Sequence, residues 1–317
     1  MTADQLGVDL DDFARRYSNW GRWGEGDELG TVNFITAKRR AAAAALVRTG
    51  RSFPLAIPLD RDGPIPSFDR RFNPRHTMLQ TGTDLAAGAQ AFAHEGWGYS
   101  DDMISMPLQC ATQWDALAHI FHDGSMYNGH ACTLVDTGGA PVNSIDRLVG
   151  HVSGRGILID MPRYLGVEWL ELDHHITVDE LDGALAAQGT EVRAGDIVLI
   201  RTGNLQRARR ECGWDRFTHT DEPGVGLDAI PWFYEHEVAG TANDTWSFEV
   251  IPSRTRVWLP FHVIAIVHMG LLIGEMFALD ALAADCAADG VYEFLLVAEP
   301  LPFSRAVGSP VTPVAIK

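Results

Sequence analysis

Cysteine is scarce in this sequence, and basic charge is outnumbered by acidic. Four cysteines, Cys110, Cys132, Cys212 and Cys286, stand far apart with no Cys-x-x-Cys pair. That spacing excludes a zinc ribbon and a disulfide framework, and leaves buried free thiols as the reading. Twenty-five lysines and arginines face 42 aspartates and glutamates, for a formal charge of -17. Nowhere are the bases gathered into a stripe able to neutralise phosphates, so nucleic acid is not an expected partner. No GxGxxG follows a strand-like run, and no GxSxG is present, which removes the usual signatures of a dinucleotide-binding fold and of a serine hydrolase. The first residues, Met1 to Phe13, carry acids where a signal peptide needs a basic start and an apolar run, so the expected location is cytoplasmic. The longest apolar stretch, Val257 to Gly274, is interrupted by Pro260, His262 and His268 and closed by Glu275. A strand buried in a core and followed by a turn is expected there, with no membrane as partner.

What is present is a chain of 317 residues with 46% apolar content, enough to bury a sizeable core in one large domain or two small ones. Thr36 is placed to cap a helix over Ala37 to Arg48, with Gly50 available for the left-handed position after it. Thr177 to Glu180 reads as a capping box opening a helix that stops at Gly189. Short β-rich segments occur at Gly156 to Asp160, Asp196 to Arg201 and Val291 to Ala298, each bounded by Gly, Asp or Pro. The region from Pro54 to Pro74 reads as a surface excursion, or as an arm towards a neighbouring subunit. The expectation is an α/β, mixed α+β domain with an N-terminal helical extension over residues 1–50 and the main body over 51–317.

The stretch that carries chemistry is Leu108 to His119, LQCATQWDALAH. Gln109, Gln113, Asp115 and His119 all fall at odd positions. In an extended segment, with its period of two, they share one face. Such a face is either a row of surface side chains or the wall of a polar pocket. Periodicity alone leans to the surface row; His122, Asp123 and His130 follow at once, around a turn at Tyr127, Asn128 and Gly129, and this company raises the pocket reading beside it. Asp244, Thr245 and Ser247, after an apolar stretch, are placed to end near it.

At these residues the chain resembles the cyclase family of metal-dependent hydrolases, whose relatives include bacterial kynurenine formamidases. The family motif His-x-Gly-Thr-His-x-Asp-x-Pro-x-His runs here through Gln109, Ala111, Thr112, Gln113, Asp115, Leu117 and His119, so Thr112, Asp115 and His119 match while both leading histidines are Gln. The resemblance extends to NWGRWGEGDELGTVNFIT (Asn19 to Thr36), EHEVAGTANDTWSFEV (Glu235 to Val250) and GSPVTPVAIK (Gly308 to Lys317). The family's later His and Glu are matched by His262 and Glu275 around Gly270, with His268 as the fallback histidine.

The resemblance implies a swivelling β/β/α barrel-like fold, usually assembled as a homodimer or tetramer, with residues 51–317 as the catalytic domain. It also implies a metal site. Loss of the two motif histidines leaves Asp115, His262 and Glu275 as the ligand set, with Gln109 and Gln113 as weak oxygen donors, and one divalent ion, Mn²⁺ or Zn²⁺, in place of two. The implied reaction is hydrolysis of an amide, lactam or lactone of a small molecule by metal-activated water, with Asp115 and His119 as catalytic residues and His119 moving protons. Gln109, Gln113, Trp114 and His122 would contact the substrate. The rival expectations are a cyclase or dehydratase on the same scaffold and a metal-free binding protein.

Overall fold

A computed structural model describes residues 10–66, 70–214, 217–218 and 221–317; the start of the acidic N-terminus and the side chain of Cys212 lie outside the described residues. Nine strands form one sheet: β1 (Ser52–Pro54), β2 (Gln113–Asp115), β3 (Ser153–Asp160), β4 (Ile197–Arg201), β5 (Gly240–Asn243), β6 (Leu272–Glu275), β7 (Glu293–Val297), β8 (Gly308–Pro310) and β9 (Val314–Ile316). Their order is β1-β9-β7-β3-β4-β5-β6-β2-β8, and the sheet curls into half a barrel. The central pairs β3·β4, β4·β5 and β5·β6 are parallel, and the flanking pairs are antiparallel. The fold class is therefore the mixed α/β one expected.

Burial on both faces explains the composition of the central strands. In β4 every residue is buried, and neighbours along the chain enter opposite cores: Val198 and Ile200 join one apolar cluster, Ile197 and Leu199 the other. That alternation is the period-two pleat at work.

Local signals hold where side chain and backbone satisfy each other within one turn. Thr177 accepts from Glu180 N while Glu180 reaches back to Thr177 N, and Val178–Gln188 is helical up to Gly189 in the left-handed region. Thr36 likewise caps Ala37–Ala44, which stops four residues short of Arg48. The free thiols are as expected: Cys110 and Cys286 are buried, and Cys132 is partly so.

Two expectations are corrected. Val257 to Gly274 does not begin as a strand: Pro260–His262 starts a helical turn that continues as a π-helix over Val263–Met269, and the strand β6 opens only at Leu272. Ile264 through Met269 are buried without a break, so apolar content alone could not separate helix from strand. The segment after Pro54 also does not simply cross the surface. Leu55 and Ile57 are buried, and Ile57 N donates to Thr112 Oγ1 at 2.9 Å, so the segment is stitched to the motif strand.

The N-terminal stretch packs onto this body. Asn19 N donates to His268 O and Thr31 N to Gly270 O, both at 2.9 Å. Gly270 sits at φ +68, where a Cβ would meet the Tyr127 ring at 2.4 Å, so the end of the π-helix needs glycine for both conformation and space.

Candidate metal centre

The motif segment is extended only at Gln113–Asp115; turns on either side bring Gln109 and His119 to it. Within the strand the period-two reading holds for Gln113 and Asp115, which share a face. Trp114 faces the other way and is not a substrate contact. It is fully buried, its Nε1 donates to Ala298 O at 2.8 Å, and its ring occupies the space left by Gly274, its cross-strand partner.

The antiparallel pairing of β2 with β6 sets Glu275 opposite Gln113, and Gln113 Nε2 donates to Glu275 Oε2 at 2.7 Å. With its amide nitrogen committed to a carboxylate, Gln113 keeps its oxygen buried and without a partner. Thr112, also in the motif, ties the strand to the chain beyond β6 through its Oγ1, which donates to Met276 O at 2.5 Å.

His262 reaches the same place from the helical turn after Leu259. The turn begins with Pro260, and its exposed amides are capped by Glu249. Phe261 N donates to Glu249 Oε2 at 3.0 Å and His262 N to Glu249 Oε1 at 2.9 Å. The same Oε1 accepts from His262 Nδ1 at 2.6 Å, which fixes the ring and leaves Nε2 3.5 Å from Glu275 Oε1. A carboxylate behind an imidazole in this way orients a metal ligand and raises its basicity. Glu249 was not singled out in the sequence, and no local signal marks it.

Asp115, His262 and Glu275 each place a ligand atom within 4.8 Å of the others, and all three are buried. Asp115 Oδ1 has no hydrogen-bond partner; His119 Nε2 stands 3.6 Å from it, too far for a hydrogen bond. Burial opposes charge on His262, but hydrogen bonds to Glu249 and Glu275 and their charges prevail and push its pKa up to about 10. Burial raises the Glu275 pKa, and the Asp115 charge adds to this while His262 and Arg71 oppose it. One imidazolium thus faces the carboxyls of Asp115, Glu249 and Glu275. Buried carboxylates in excess of cations are costly, and the two unpartnered oxygens of Asp115 and Gln113 add to that cost. The residues present therefore suit a divalent cation.

Gln109 is buried at the margin of this group, with Nε2 unpartnered and its backbone oxygen accepting from Arg71 Nη1 at 3.2 Å. His122 turns elsewhere: its Nδ1 lies 3.0 Å from His268 Nε2, so neither it nor the fallback His268 joins the centre. Burial, followed by the charge of His122, pulls the His268 pKa down to about 4. Asp244 accepts from Thr202 N, Thr202 Oγ1 and Gly203 N, each at 2.7 Å, and thus supports a turn.

Ser247 instead leads to a residue that sequence reasoning missed. Glu222 is fully buried, and its Oε2 accepts from Trp246 N, Ser247 N and Ser247 Oγ. Burial pushes its pKa up to about 8 against these hydrogen bonds, and the Glu275 charge adds to the rise. A carboxyl whose folded pKa lies above its ordinary 4.5 contributes stability that is fully present below about pH 4.5 and lost as pH rises through about 8. The wild type is expected to lose stability across this window by on the order of a few kcal/mol relative to Glu222→Gln. Urea midpoints of both proteins from pH 4.5 to 9 measure this; parallel pH profiles would show that Glu222 titrates normally.

Residues 53–250 match a family model described as "Putative cyclase". The chain is similar to a crystal structure described as a novel cyclase, with 40% identity over 96% of this chain and 99% of that one and a TM-score of 0.89. It is similar in fold to isatin hydrolase A from Labrenzia aggregata bound to benzyl benzoate, with 22% identity over 86% and 94% of the two chains and a TM-score of 0.60. A potential metal-dependent hydrolase with cyclase activity has 16% identity over 84% and 98%, with a TM-score of 0.51. No curated protein matches.

Proposed function

The chain belongs to the cyclase family, and from that premise we propose that it is a metal-dependent hydrolase opening an amide, lactam or lactone of a small molecule. Asp115, His262 and Glu275 hold one divalent cation, Mn²⁺ or Zn²⁺, and His119 moves the proton. The observation that carries the reading is the buried group of two carboxylates and one imidazole with its unpartnered Asp115 oxygen. Fold relatives described as an isatin hydrolase and as a potential metal-dependent hydrolase support it, and isatin is itself a lactam.

A cation held there supplies Lewis acidity to a carbonyl and to water. The protein's own groups divide the remaining work. His119, with its side chain 20% exposed beside buried Asp115, stands where the closed centre meets solvent. It takes a proton from the attacking water, gives it to the leaving nitrogen or oxygen, and exchanges it with bulk. Gln113 holds Glu275 in place through Nε2, and its free oxygen faces no competing donor. Glu249 accepts from His262 Nδ1, so Nε2 is the nitrogen that would give up its proton and present a lone pair to the cation.

His119→Ala is expected to lower kcat by about 10²- to 10⁴-fold while bound metal stays unchanged. Undiminished turnover with metal retained would remove His119 from proton transfer. The description of the 40% identical structure as a cyclase supports a second reading, ring closure on the same residues. Reaction in isotopically heavy water separates the two, since hydrolysis places solvent oxygen in the product and cyclisation does not. Among the described residues no helix is long and apolar enough to cross a membrane.

A further inference from the structure

Beyond Pro74 the chain leaves the body as an exposed excursion. Arg75–Gln80 and Asp101–Ser105 pair as an antiparallel ribbon, and among the described residues the ribbon joins no other strand. Met78, Leu79, Met103 and Ile104 on it are 45–50% exposed. At its tip Phe92 and Trp97 stack with ring centroids 4.3 Å apart and an interplanar angle of 11°. None of these side chains enters an apolar cluster of the body. The tip is ordered all the same. Gln90, the one buried residue from 75 to 105, donates from Nε2 to Thr81 O at 3.0 Å and to Tyr99 O at 2.8 Å, and its Oε1 accepts from Tyr99 N at 3.1 Å.

A two-stranded ribbon is marginally stable by itself, and apolar side chains gathered on one ordered projection mark a surface made to be covered. The pattern of its two faces says by what. Cross-strand register and the period of two put His76, Met78, Asp102 and Ile104 on one face, where His76 Nε2 lies 2.7 Å from Asp102 Oδ2 and the charges are already matched. The other face carries Arg75 at the root, Thr77 and Met103 in the middle and Asp101 at the tip. Root and tip are about 13 Å apart, more than a Debye length, so they act as separate poles. A line that runs basic, apolar, acidic is complementary to itself when turned end for end, which is what a two-fold contact between identical chains requires. The segment from 75 to 105 also has the size of one side of a standard interface, roughly 20–30 residues.

We propose that the ribbon is a dimerisation arm whose Arg75, Thr77, Met103 and Asp101 face packs antiparallel on the same face of a second copy of this chain. The two-fold axis brings Met103 against the partner's Met103, and sets Arg75 beside the partner's Asp101 and Asp101 beside the partner's Arg75. Apolar contact at the centre holds the arms together, and the two charge pairs at the ends fix their direction.

Sedimentation of the full chain over a dilution series tests this. The wild type is expected to assemble as a dimer or an even-numbered multiple. Met103→Glu sets two like charges face to face and should sediment at half the wild-type mass. Arg75→Glu and Asp101→Arg should each raise the dissociation constant about 10-fold or more. All three positions are exposed, so the far-UV spectrum stays that of the wild type. An equimolar mixture of Arg75→Glu with Asp101→Arg should recover wild-type affinity, because in the mixed pair opposite charges meet at both ends. The proposal is overturned by a monomeric wild type, by variants that assemble like the wild type, or by a mixture that dissociates as readily as its two components.

Discussion

Asp115→Asn is expected to abolish metal binding at the buried centre and lower turnover by about 10³-fold, while leaving the metal-free protein more stable than the wild type. The first two effects follow from loss of a charged ligand, since a cation's contribution to transition-state charge is several kcal/mol, at about 1.4 kcal/mol per factor of ten. The third is the sign that distinguishes a functional group from a structural one. In the metal-free protein Asp115 Oδ1 is buried without a hydrogen-bond partner, and its charge disfavours ionised Glu275. Neutralising it removes an unfavourable contact that only a cation offsets. Elemental analysis, turnover and melting in the presence of a chelator measure the three effects. A variant that keeps its metal and its rate would show that the centre does not depend on Asp115. A metal-free variant less stable than the wild type would show that the carboxylate has a structural partner.

The opposite sign is expected one layer behind the centre. Glu249→Ala should destabilise the metal-free protein by about 3–5 kcal/mol, the usual cost of removing one partner from a buried charge pair, and weaken metal binding by about 10- to 100-fold. Glu249 accepts from three groups at once, Phe261 N, His262 N and His262 Nδ1, so its loss uncaps a helix start and frees a buried imidazole. Glu249→Gln should fall between, since one amide oxygen can still accept but the amide nitrogen would meet another donor. Urea midpoints and Zn²⁺ titrations of the three proteins read this out. Equal midpoints for Glu249→Ala and wild type would mean that His262 is positioned by its helix alone. Together the two substitutions separate roles that a loss of activity would not: both inactivate, but one relieves the metal-free fold and the other breaks it.

Some of this centre was legible in the chain itself. The odd-numbered spacing of Gln113 and Asp115 set them on one face, and the strand β2 bears that out, although it is too short to carry Gln109 and His119 on the same pleat. The same rule placed Trp114 on the opposite face, where it fills the core against Gly274 and Phe277. A contact with substrate could not be reconciled with that pleat. The resemblance supplied His262 and Glu275, and the structure brings both to Asp115.

Glu249 and Glu222 could not be found in that way. Their importance comes from what the fold packs around them: a buried helix start 12 residues ahead of Glu249, and backbone amides 24 and 25 residues beyond Glu222. Neither carboxylate sits in a pattern of its own.

The amino-acid sequence determined by itself what is decided within a turn or a pleat. The capping box at Thr177, the buried run of β4 and the shared face of Gln113 and Asp115 all depend on neighbours a few residues away, whose geometry the backbone fixes locally. Tertiary structure alone decided that Val263–Met269 is helical, that Gln113 meets Glu275 across 162 residues, and that His122 faces His268 across 146. Such contacts depend on which surfaces are buried together, and hydrophobic patterning specifies that a face is buried without specifying what it meets.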